Sequence, residues 1–257
     1  MTAPFSPTPG RSPGQSTVDP EDVARFSAIA EQWWDENGKF RPLHRLNPVR
    51  LTYIRDVACA RLGRDAAAPQ PLTGLRLADV GCGGGLLAEP LARMGASVVG
   101  IDASAKNIGT ASLHAAQSGT AVDYRVSTAE DLAASGEKFD IVTCLEVIEH
   151  VADVKLFVKS LGQLLAPGGV LFLATLNRTP KSYLFAIIGA EYVLRWLPKG
   201  THDWKKFIRP SELAGLLRAE GMAFGDLTGV IYEPFGGSFR TDPRDLEVNY
   251  MGWAEKR

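Results

Sequence analysis

Asp79-Val-Gly-Cys-Gly-Gly-Gly85 is the part of the sequence that best indicates the fold. The apolar run Leu75 to Val80 leads into it and predicts a buried strand, and Leu86 to Met94 after it predicts a helix. A glycine-rich loop between a strand and a helix lets a ligand lie against the backbone, where N–H groups at the helix start can hold an anion. Asp102 follows 21 residues after Gly81, at the end of the next apolar run. An acidic residue at that point can accept hydrogen bonds from both hydroxyls of a ribose.

The spacing of the glycines separates two kinds of ligand. Dinucleotide enzymes use G-x-G-x-x-G/A, whereas this loop reads Gly81-Cys-Gly-Gly-Gly85, with Asp79 two residues before it. Such a loop suits a ligand with a free amino group and a carboxylate. Asp79 can face the ammonium or can order the loop, and the helix start can hold the carboxylate. The loop resembles the first motif of the class I S-adenosylmethionine (SAM) methyltransferases, and the resemblance implies SAM as the cofactor.

Composition places the chain among ordinary globular proteins. Its 257 residues suit one large α/β domain with extensions, or two small domains. The 28 basic and 29 acidic residues nearly cancel, so no nucleic-acid partner is indicated. Cys59, Cys82 and Cys144 lack metal-finger spacing and are expected to be reduced thiols of a cytosolic protein. No apolar run approaches the roughly 18 residues of a membrane span.

Strands and helices are predicted to alternate after residue 75. We expect strands at 75–80, 96–101, 122–127, 139–145 and 169–175, and a closing pair at 224–233 and 247–253. Helices are expected at 85–94, 104–118, 153–166 and 210–219. This alternation predicts an α/β fold with a doubly wound, mostly parallel, seven-stranded sheet and right-handed crossovers.

The N-terminal part is predicted to be helical. Asp19 has the character of an N-cap, with Pro20 at the first helical position of a helix that continues to Trp34. Since adjacent tryptophans cannot both face one core, we expect Trp33 or Trp34 to contact a ligand lid or a partner surface. The alternative is that one ring is buried and the other half exposed.

The remaining N-terminal segments complete the domain scheme. Residues 40–44 are expected to be a loop, 48–62 a second helix and 64–72 a linker. The predicted organisation is a disordered tail at 1–17, a helical extension at 18–72 and a methyltransferase domain at 73–257, with a helical lid inserted at 178–206.

Candidate catalytic residues follow the fourth predicted strand, in Cys144-Leu-Glu-Val-Ile-Glu-His150. This segment faces the same crevice as the glycine loop, because ligands of open α/β sheets bind beyond the carboxyl ends of the strands. If the segment is helical, Glu146, Glu149 and His150 share one face. They can then bind Mg²⁺, Mn²⁺ or Zn²⁺, or act as a base. Equally, His150 can be a solitary base or a structural hydrogen-bonder, with both glutamates in a solvated turn.

Residues 181–203 interrupt the sheet pattern after the fifth strand. The run Tyr183 to Ala190 is aromatic and branched but too short to span a bilayer. Basic residues surround it, at Lys181, Arg195, Lys199, Lys205 and Lys206. Such an insertion can lie in a membrane interface or cover an apolar substrate, or it can be an ordinary packed pair of lid helices.

Seven stretches of the chain carry a more specific resemblance. They are Trp33-Trp34-Asp35, Phe40-Arg-Pro-Leu-His-Arg-Leu-Asn-Pro-Val-Arg50, Asp79-Val-Gly-Cys-Gly-Gly-Gly85, Glu146-Val-Ile-Glu-His150, Thr175-Leu-Asn-Arg178, Gly189-Ala-Glu-Tyr192 and Pro198-Lys-Gly-Thr-His-Asp203. Together they resemble the ubiquinone-biosynthesis O-methyltransferases of bacteria and mitochondria, over residues 18–254. The glycine motif is shared by a whole superfamily, whereas the first two stretches and the last are far more specific.

This resemblance implies a bifunctional enzyme that methylates two ring hydroxyls, on polyprenyl phenols and on demethylubiquinol, with SAM as the methyl donor. For cofactor binding, the loop sequence itself indicates Asp79 and Gly83, and the resemblance implies Arg50, Gly81, Asp102 and Leu145. It implies His150, Glu149 and Glu146 as catalytic residues, and the same three as ligands of a possible Mg²⁺ ion.

The resemblance also implies partners and a location. Residues 181–203 match a stretch that contacts lipid, which implies peripheral association of a cytoplasmic protein with the anionic surface of the inner membrane. A complex with other enzymes of ubiquinone biosynthesis is a further expectation.

Three alternative functions stay open at this point. A SAM methyltransferase of another small hydroxylated or amine substrate would have no need of an exposed aromatic and basic insertion. A nicotinamide-dependent oxidoreductase would call for the G-x-G-x-x-G spacing that the loop lacks. A non-catalytic membrane-bound scaffold is disfavoured by the intact Glu146, Glu149 and His150.

Overall fold

A single eight-stranded sheet organises the molecule. The computed structural model describes residues 16–185, 203–234 and 236–256, and in these the strand order is β3-β2-β1-β4-β5-β8-β6-β7. The strands are β1 (Arg76–Val80), β2 (Ser97–Asp102), β3 (Asp123–Val126), β4 (Phe139–Leu145), β5 (Leu165–Leu176), β6 (Met222–Glu233), β7 (Ser238–Asp242) and β8 (Asn249–Lys256). The first five strands pair in parallel, and β8, β6 and β7 add to β5 as antiparallel strands. The mostly parallel α/β sheet is therefore confirmed, with β7 as an eighth strand that was not predicted.

Helices cover the sheet and connect its strands. They are α1 (Pro20–Ser27), α2 (Arg41–Arg61), α3 (Ala88–Arg93), α4 (Ala105–Ser118), α5 (Ala129–Ala134), α6 (Val154–Leu164), α7 (Pro180–Ser182) and α8 (Pro210–Ala219). Short 3₁₀ turns lie at Ala30–Gln32, Ile148–His150 and Trp204–Lys206. None of the helices in the described part of the chain is long and apolar enough to cross a membrane.

The central strands are buried on both faces. In β4, Phe139, Ile141, Val142 and Cys144 are all buried. Ile141 packs into one hydrophobic cluster, and the other three side chains pack into another. Parallel strands covered by helices on both sides read as continuous apolar runs, which is why β1, β4 and β5 were recognisable in the sequence. All three cysteines are free and buried, as expected.

The second helix begins earlier than predicted. The proposed start at Pro48 was wrong, because α2 begins at Arg41 and runs through Pro48. Leu46, Arg50, Ile54 and Ala58 are buried at a spacing of four residues, so one face of a continuous helix packs on the sheet. That packing outweighs the cost of an internal proline.

Three further boundaries differ from expectation. The first helix ends at Ser27 instead of reaching Trp34, and α3 begins at Ala88, three residues beyond the glycine loop. Helix α5 was missed, although Thr128 caps it by accepting from the backbone N–H of Asp131. Thr17, assigned to the tail, is buried. The rest of the proposed tail, residues 1–15, lies outside the described residues.

Candidate active site

A cavity of about 730 Å³ lies at the carboxyl edge of the sheet. The loops after β1, β2 and β4 form one wall, while α1 and the start of α2 form a second. Residues of β6 and β8 complete it. The cavity is therefore where an open α/β sheet binds its ligands, and it brings together elements that are more than 200 residues apart in the sequence.

The glycine loop is fixed by backbone geometry and by close neighbours. Gly81 and Gly83 have φ angles of 75° and 54°, a region that favours glycine. A Cβ atom at Gly81 would overlap the side chain of Val147, and one at Gly83 would overlap the ring of Trp33. The backbone N–H groups of Gly81 and Cys82 both donate to the carbonyl oxygen of Ile101. The loop is thus tied to the end of β2.

Asp102 lies where the sequence placed it, at the end of β2, and it organises the loop. Its Oδ2 accepts from the N–H of Gly83 at 3.1 Å, and its Oδ1 accepts from the N–H of Ser104 at 2.8 Å and from Nδ2 of Asn107 at 3.2 Å. Burial raises the pKa of Asp102, against the lowering effect of these bonds. Because a carboxylate has about four acceptor positions, Asp102 can still accept from a ribose.

Asp79 is a buried carboxyl group in the cavity wall. Oδ1 accepts from the Thr143 hydroxyl at 2.7 Å, while Oδ2 has no hydrogen-bond partner among the described residues. Burial, and then the nearby charge of Asp102, raises the pKa of Asp79 to about 7, although the Thr143 bond opposes this. A buried acceptor without a donor is a costly feature, and a cationic group of a ligand would relieve it.

Arg50, expected to bind the carboxylate of the cofactor, is paired with Glu146. The Arg50 Nη2 donates to Oε1 of Glu146 at 2.6 Å, and both residues line the cavity. Asn249 Nδ2 donates to both carboxylate oxygens of Glu146, at 2.9 and 3.1 Å. Glu146 has a φ of 56°, in the left-handed region that is strained for residues other than glycine and is associated with functional sites. Leu145, just before it, also lines the cavity.

Glu149 differs from its expected role. It is buried below the cavity wall, is absent from the described residues that line the cavity, and accepts from the Thr175 hydroxyl at 3.0 Å. Burial and the charge of Glu146 raise the pKa of Glu149 well above its usual range, which favours the neutral form of this carboxyl group. The alternative of a solvated turn is therefore wrong for Glu149, because Ile148 and Glu149 are both buried.

His150 faces the cavity from the 3₁₀ turn after β4. Its Nδ1 donates to Oδ2 of Asp22 on α1 at 3.4 Å, and its ring meets the ring of Phe26 edge to face at a centroid distance of 5.3 Å. Burial raises the pKa of Asp22, but the hydrogen bond with His150 and the charges of His150, Arg25 and Lys206 together leave it lowered. The imidazole is thus oriented by a carboxylate that the sequence did not reveal.

The three proposed metal ligands do not form a metal site here. Glu146 is held by Arg50 and Asn249, whereas His150 is held by Asp22. Among residues 16–185, 203–234 and 236–256, no group of three or more His, Cys, Asp or Glu side chains is placed to hold a metal ion. The expected Mg²⁺ is therefore not supported, and no chemical step is assigned to a metal.

Helix α1 and the residues before it cover the cavity. The N–H and hydroxyl of Thr17 donate to the two carboxylate oxygens of Glu130, at 2.7 and 2.9 Å. The N–H of Ala152 donates to the carbonyl of Thr17 at 2.8 Å, and Lys206 donates to Asp19 at 2.8 Å. Nothing in the local sequence indicated these long-range contacts.

The described part of the insertion carries exposed apolar side chains. Tyr183, Leu184 and Phe185 are about half exposed, at 48%, 51% and 57%, and Phe185 also lines the cavity. Lys181 is paired with Asp245 and Glu247. The expected lid and membrane contact at 186–202, and the stretches 189–192 and 198–202 that carry the family resemblance, lie outside the described residues.

Sequence comparisons identify what the chain is similar to. A family model described as a methyltransferase domain matches residues 51–223. A ubiquinone biosynthesis O-methyltransferase from Chelativorans sp. is 57% identical over 242 residues, covering 94% of this chain and 95% of that protein. Its counterpart from Mesorhizobium japonicum is 57% identical over 95% of this chain and 98% of its own length. That from Roseobacter denitrificans is 56% identical, over 92% and 96%.

Solved structures share the fold at low sequence identity. A magnesium protoporphyrin IX methyltransferase from Synechocystis, with bound SAH, matches with a TM-score of 0.56 and 22% identity, over 90% of this chain and 99% of that one. A SAM-dependent methyltransferase from Thermotoga maritima, described as a possible histamine N-methyltransferase, matches with a TM-score of 0.59 and 19% identity, over 90% and 100%. These likenesses support the Rossmann-like architecture of class I SAM methyltransferases.

Proposed function

The chain belongs to the ubiquinone biosynthesis O-methyltransferases, which are SAM-dependent, and we propose that it performs both O-methylations of that pathway, on a polyprenyl phenol and on demethylubiquinol. The observation that carries the proposal is the cavity itself. Its lining includes the glycine loop, Asp79 and Asp102 together with His150 and many apolar side chains. A donor with an adenosine group and an acceptor with a greasy aromatic ring can therefore meet in one enclosed space.

The cavity residues in and around the glycine loop fit SAM. Asp102 presents acceptors for the ribose hydroxyls, and the unpartnered Oδ2 of Asp79 is an acceptor for the amino group. Gly81 and Gly83 allow close approach to the backbone, and Leu145 is the apolar neighbour of the adenosine group. Arg50 can hold the carboxylate of SAM, since arginine forms bidentate hydrogen bonds with carboxylates. To do so, Arg50 either bonds to Glu146 and SAM together or gives up its bond to Glu146.

The methyl group to be transferred is carried on the electrophilic sulfonium of SAM. The task of the protein is to hold a phenol oxygen in line with it and to remove the phenol proton. A phenol has a pKa near 10, so about a thousandth of it is ionised at pH 7, a deficit of about 4 kcal/mol. A positioned general base typically contributes roughly 10²–10⁴-fold, which covers most of that deficit.

His150 is the base in this proposal. With Nδ1 directed to Asp22, the other ring nitrogen, Nε2, accepts the phenol proton as the oxygen attacks the methyl carbon. The bond from that carbon to the sulfonium sulfur breaks, and S-adenosylhomocysteine leaves. Asp22 fixes the tautomer and stabilises the imidazolium that forms. Glu146 is held by Arg50 and Asn249, and the side chains of Glu146 and Asn249 orient the ring hydroxyls. Glu149 is buried and accepts from the Thr175 hydroxyl, so its role is to support the turn that carries His150.

The apolar part of the cavity lining suits a polyprenyl tail. Its residues include Leu43, Leu46, Leu176, Val230 and Phe239. Tyr183, Leu184 and Phe185 are exposed beside it, at the start of the aromatic and basic insertion. We propose that this insertion rests on the anionic surface of the inner membrane from the cytoplasmic side, so that the tail can enter from the lipid. A complex with other enzymes of the pathway stays a prediction.

Methyl transfer tests the reaction directly. The purified protein is incubated with methyl-labelled SAM and a short-tailed demethylubiquinol, and separately with a short-tailed polyprenyl hydroxyphenol. Label in the O-methylated product of both is the expected result, and His150→Ala should abolish most of it. Label in neither, with transfer to an unrelated hydroxylated or amine compound, would contradict the proposed substrates.

Sedimentation with vesicles tests the membrane contact. The double variant Leu184→Asp and Phe185→Asp should bind less to vesicles that contain anionic phospholipid. Leu113→Asp is the matched control, because Leu113 is exposed at 62% on α4, away from the insertion. Equal binding by both variants and the unaltered protein would contradict the membrane contact.

A further inference from the structure

Trp33 lies directly on the backbone of the glycine loop. Its indole ring leaves no room for a Cβ atom at Gly83 or at Gly84, so ring and loop are in van der Waals contact along two residues. The ring also stacks on Phe40, with 3.8 Å between centroids and 9° between planes. The carbonyl oxygen of Trp33 lies 2.8 Å from Nε2 of His44. Trp33 is therefore held from the side opposite to the loop by residues around the start of α2.

A hydrogen-bond chain leads from Trp33 to the ribose acceptor. Nε1 of Trp33 donates to Oδ1 of Asn107 at 3.0 Å, and Nδ2 of Asn107 donates to Oδ1 of Asp102 at 3.2 Å. The indole N–H fixes the orientation of the Asn107 amide, because it requires the amide oxygen on its own side. The amide NH₂ is thereby directed at Asp102.

Trp34 holds the same loop by a different contact. Its Nε1 donates to the carbonyl oxygen of Gly84 at 2.8 Å. Its ring stacks on His114, with 3.4 Å between centroids and 5° between planes. His114 Nδ1 lies 2.7 Å from Oε1 of Glu89, a fully buried carboxylate on α3. The indole is thus fixed between the loop and a side chain that is anchored in the core.

Two neighbouring tryptophans thus meet the same loop. We propose that Trp33 and Trp34 are positioning residues of the SAM site, with Trp33 acting on Asp102 through Asn107 and Trp34 acting on the loop through the Gly84 carbonyl. This inference rests on the proposed function. Both tryptophans precede residue 51, where the match to the methyltransferase domain model begins, so the N-terminal extension supplies part of the cofactor site.

Phenylalanine variants separate positioning from packing, since Phe keeps an aromatic ring and removes the N–H group. Trp33→Phe and Trp34→Phe should each raise the Kd for S-adenosylhomocysteine and the KM for SAM roughly five- to tenfold, the effect of one lost hydrogen bond to the loop network. The kcat at saturating SAM should change by less than about threefold, because the methyl acceptor and its base are untouched. Trp253→Phe is the matched control, since that ring packs on Gly225 and Arg61.

A double-mutant cycle tests the route through Asn107. If Trp33 acts through the amide, Trp33→Phe combined with Asn107→Ala should bind S-adenosylhomocysteine within about twofold of Asn107→Ala alone. Additive losses would overturn that route. Should Trp33→Phe fail to fold, Asn107→Ala leaves both rings in place, and an unchanged affinity in that variant would overturn it equally.

Thermal unfolding without ligand completes the test. A fall in Tm with unchanged Kd and KM for the cofactor, or an equal loss of affinity in Trp253→Phe, would show a structural role and overturn the proposal. Failure of the unaltered protein to bind S-adenosylhomocysteine would instead contradict the proposed function. Binding by the unaltered protein with equal binding by both tryptophan variants would contradict only the positioning role.

Discussion

Asp79→Asn separates the cost of burying a charge from its use in binding. The pKa of Asp79 is raised from 3.8 to about 7 by burial, so the folded protein favours the neutral acid. The penalty on stability is absent below about pH 4, grows as the pH rises through the interval to about 7, and is complete above that. Its size is at most about 4 kcal/mol at 1.4 kcal/mol per pKa unit.

Asparagine has nearly the same shape and keeps an oxygen for the Thr143 hydroxyl, but it carries no charge. The ligand-free variant should therefore be more stable than the unaltered protein at pH 8, by several degrees in Tm for a chain of this size, and equally stable near pH 4. Binding should move the other way. Losing a charge-assisted hydrogen bond to the amino group should weaken S-adenosylhomocysteine binding about 10- to 100-fold at pH 8.

Two measurements check this prediction. Thermal unfolding between pH 4 and 8.5 gives the stability difference, and calorimetric titration with S-adenosylhomocysteine gives the affinity. The affinity of the unaltered protein should fall below about pH 7, where Asp79 gains its proton, and that of the variant should not. The control is Asp140→Asn, because Asp140 accepts from the N–H of Arg76 at the amino end of the same sheet. A variant that is destabilised at pH 8 and binds normally would refute the reasoning and leave Asp79 as a residue that only orders the loop.

Three other substitutions test the remaining roles. Asp102→Ala should weaken S-adenosylhomocysteine binding at least about 100-fold, because the ribose and the Gly83 N–H both lose a charged acceptor; unchanged affinity in a calorimetric titration would count against the assigned pocket. His150→Ala should lower kcat roughly 10²- to 10⁴-fold and leave the KM for SAM nearly unchanged, and equal losses in both would place His150 in the cofactor site instead. Glu149→Gln should keep Tm and kcat close to those of the unaltered protein, because the raised pKa favours the uncharged form of this buried carboxyl group, which glutamine resembles. A loss of activity beyond about tenfold would show that the ionised form is needed.

Much of the fold could be predicted from local pattern. The parallel strands β1, β2, β4 and β5 are largely buried and so appear as apolar runs, and the glycine loop and Asp102 mark the strand ends that bind ligand. Helix α2 was placed too late because a proline usually marks a boundary. Its burial pattern at 46, 50, 54 and 58 depends on a sheet that the local sequence does not display.

The candidate site was predictable from local pattern where its residues follow a strand, whereas Arg50, inside α2, was expected only from the family resemblance. Arg50 and Leu145 line the cavity as expected, but the ion pair of Arg50 with Glu146 and the bond from Asn249 join residues that are about 100 positions apart. Asp22 is an ordinary first-turn acidic residue in the sequence, and only folding brings it to His150. Glu149 was misjudged because spacing gives the face of a turn but not whether that face is buried.

A crystal structure of the protein with S-adenosylhomocysteine tests the central claim most directly. The ligand is expected in the cavity, with its ribose hydroxyls within hydrogen-bond distance of Asp102, its amino group facing Asp79, and open space between its sulfur and His150. A cavity that stays closed by side chains, or a ligand bound elsewhere on the molecule, would contradict that claim.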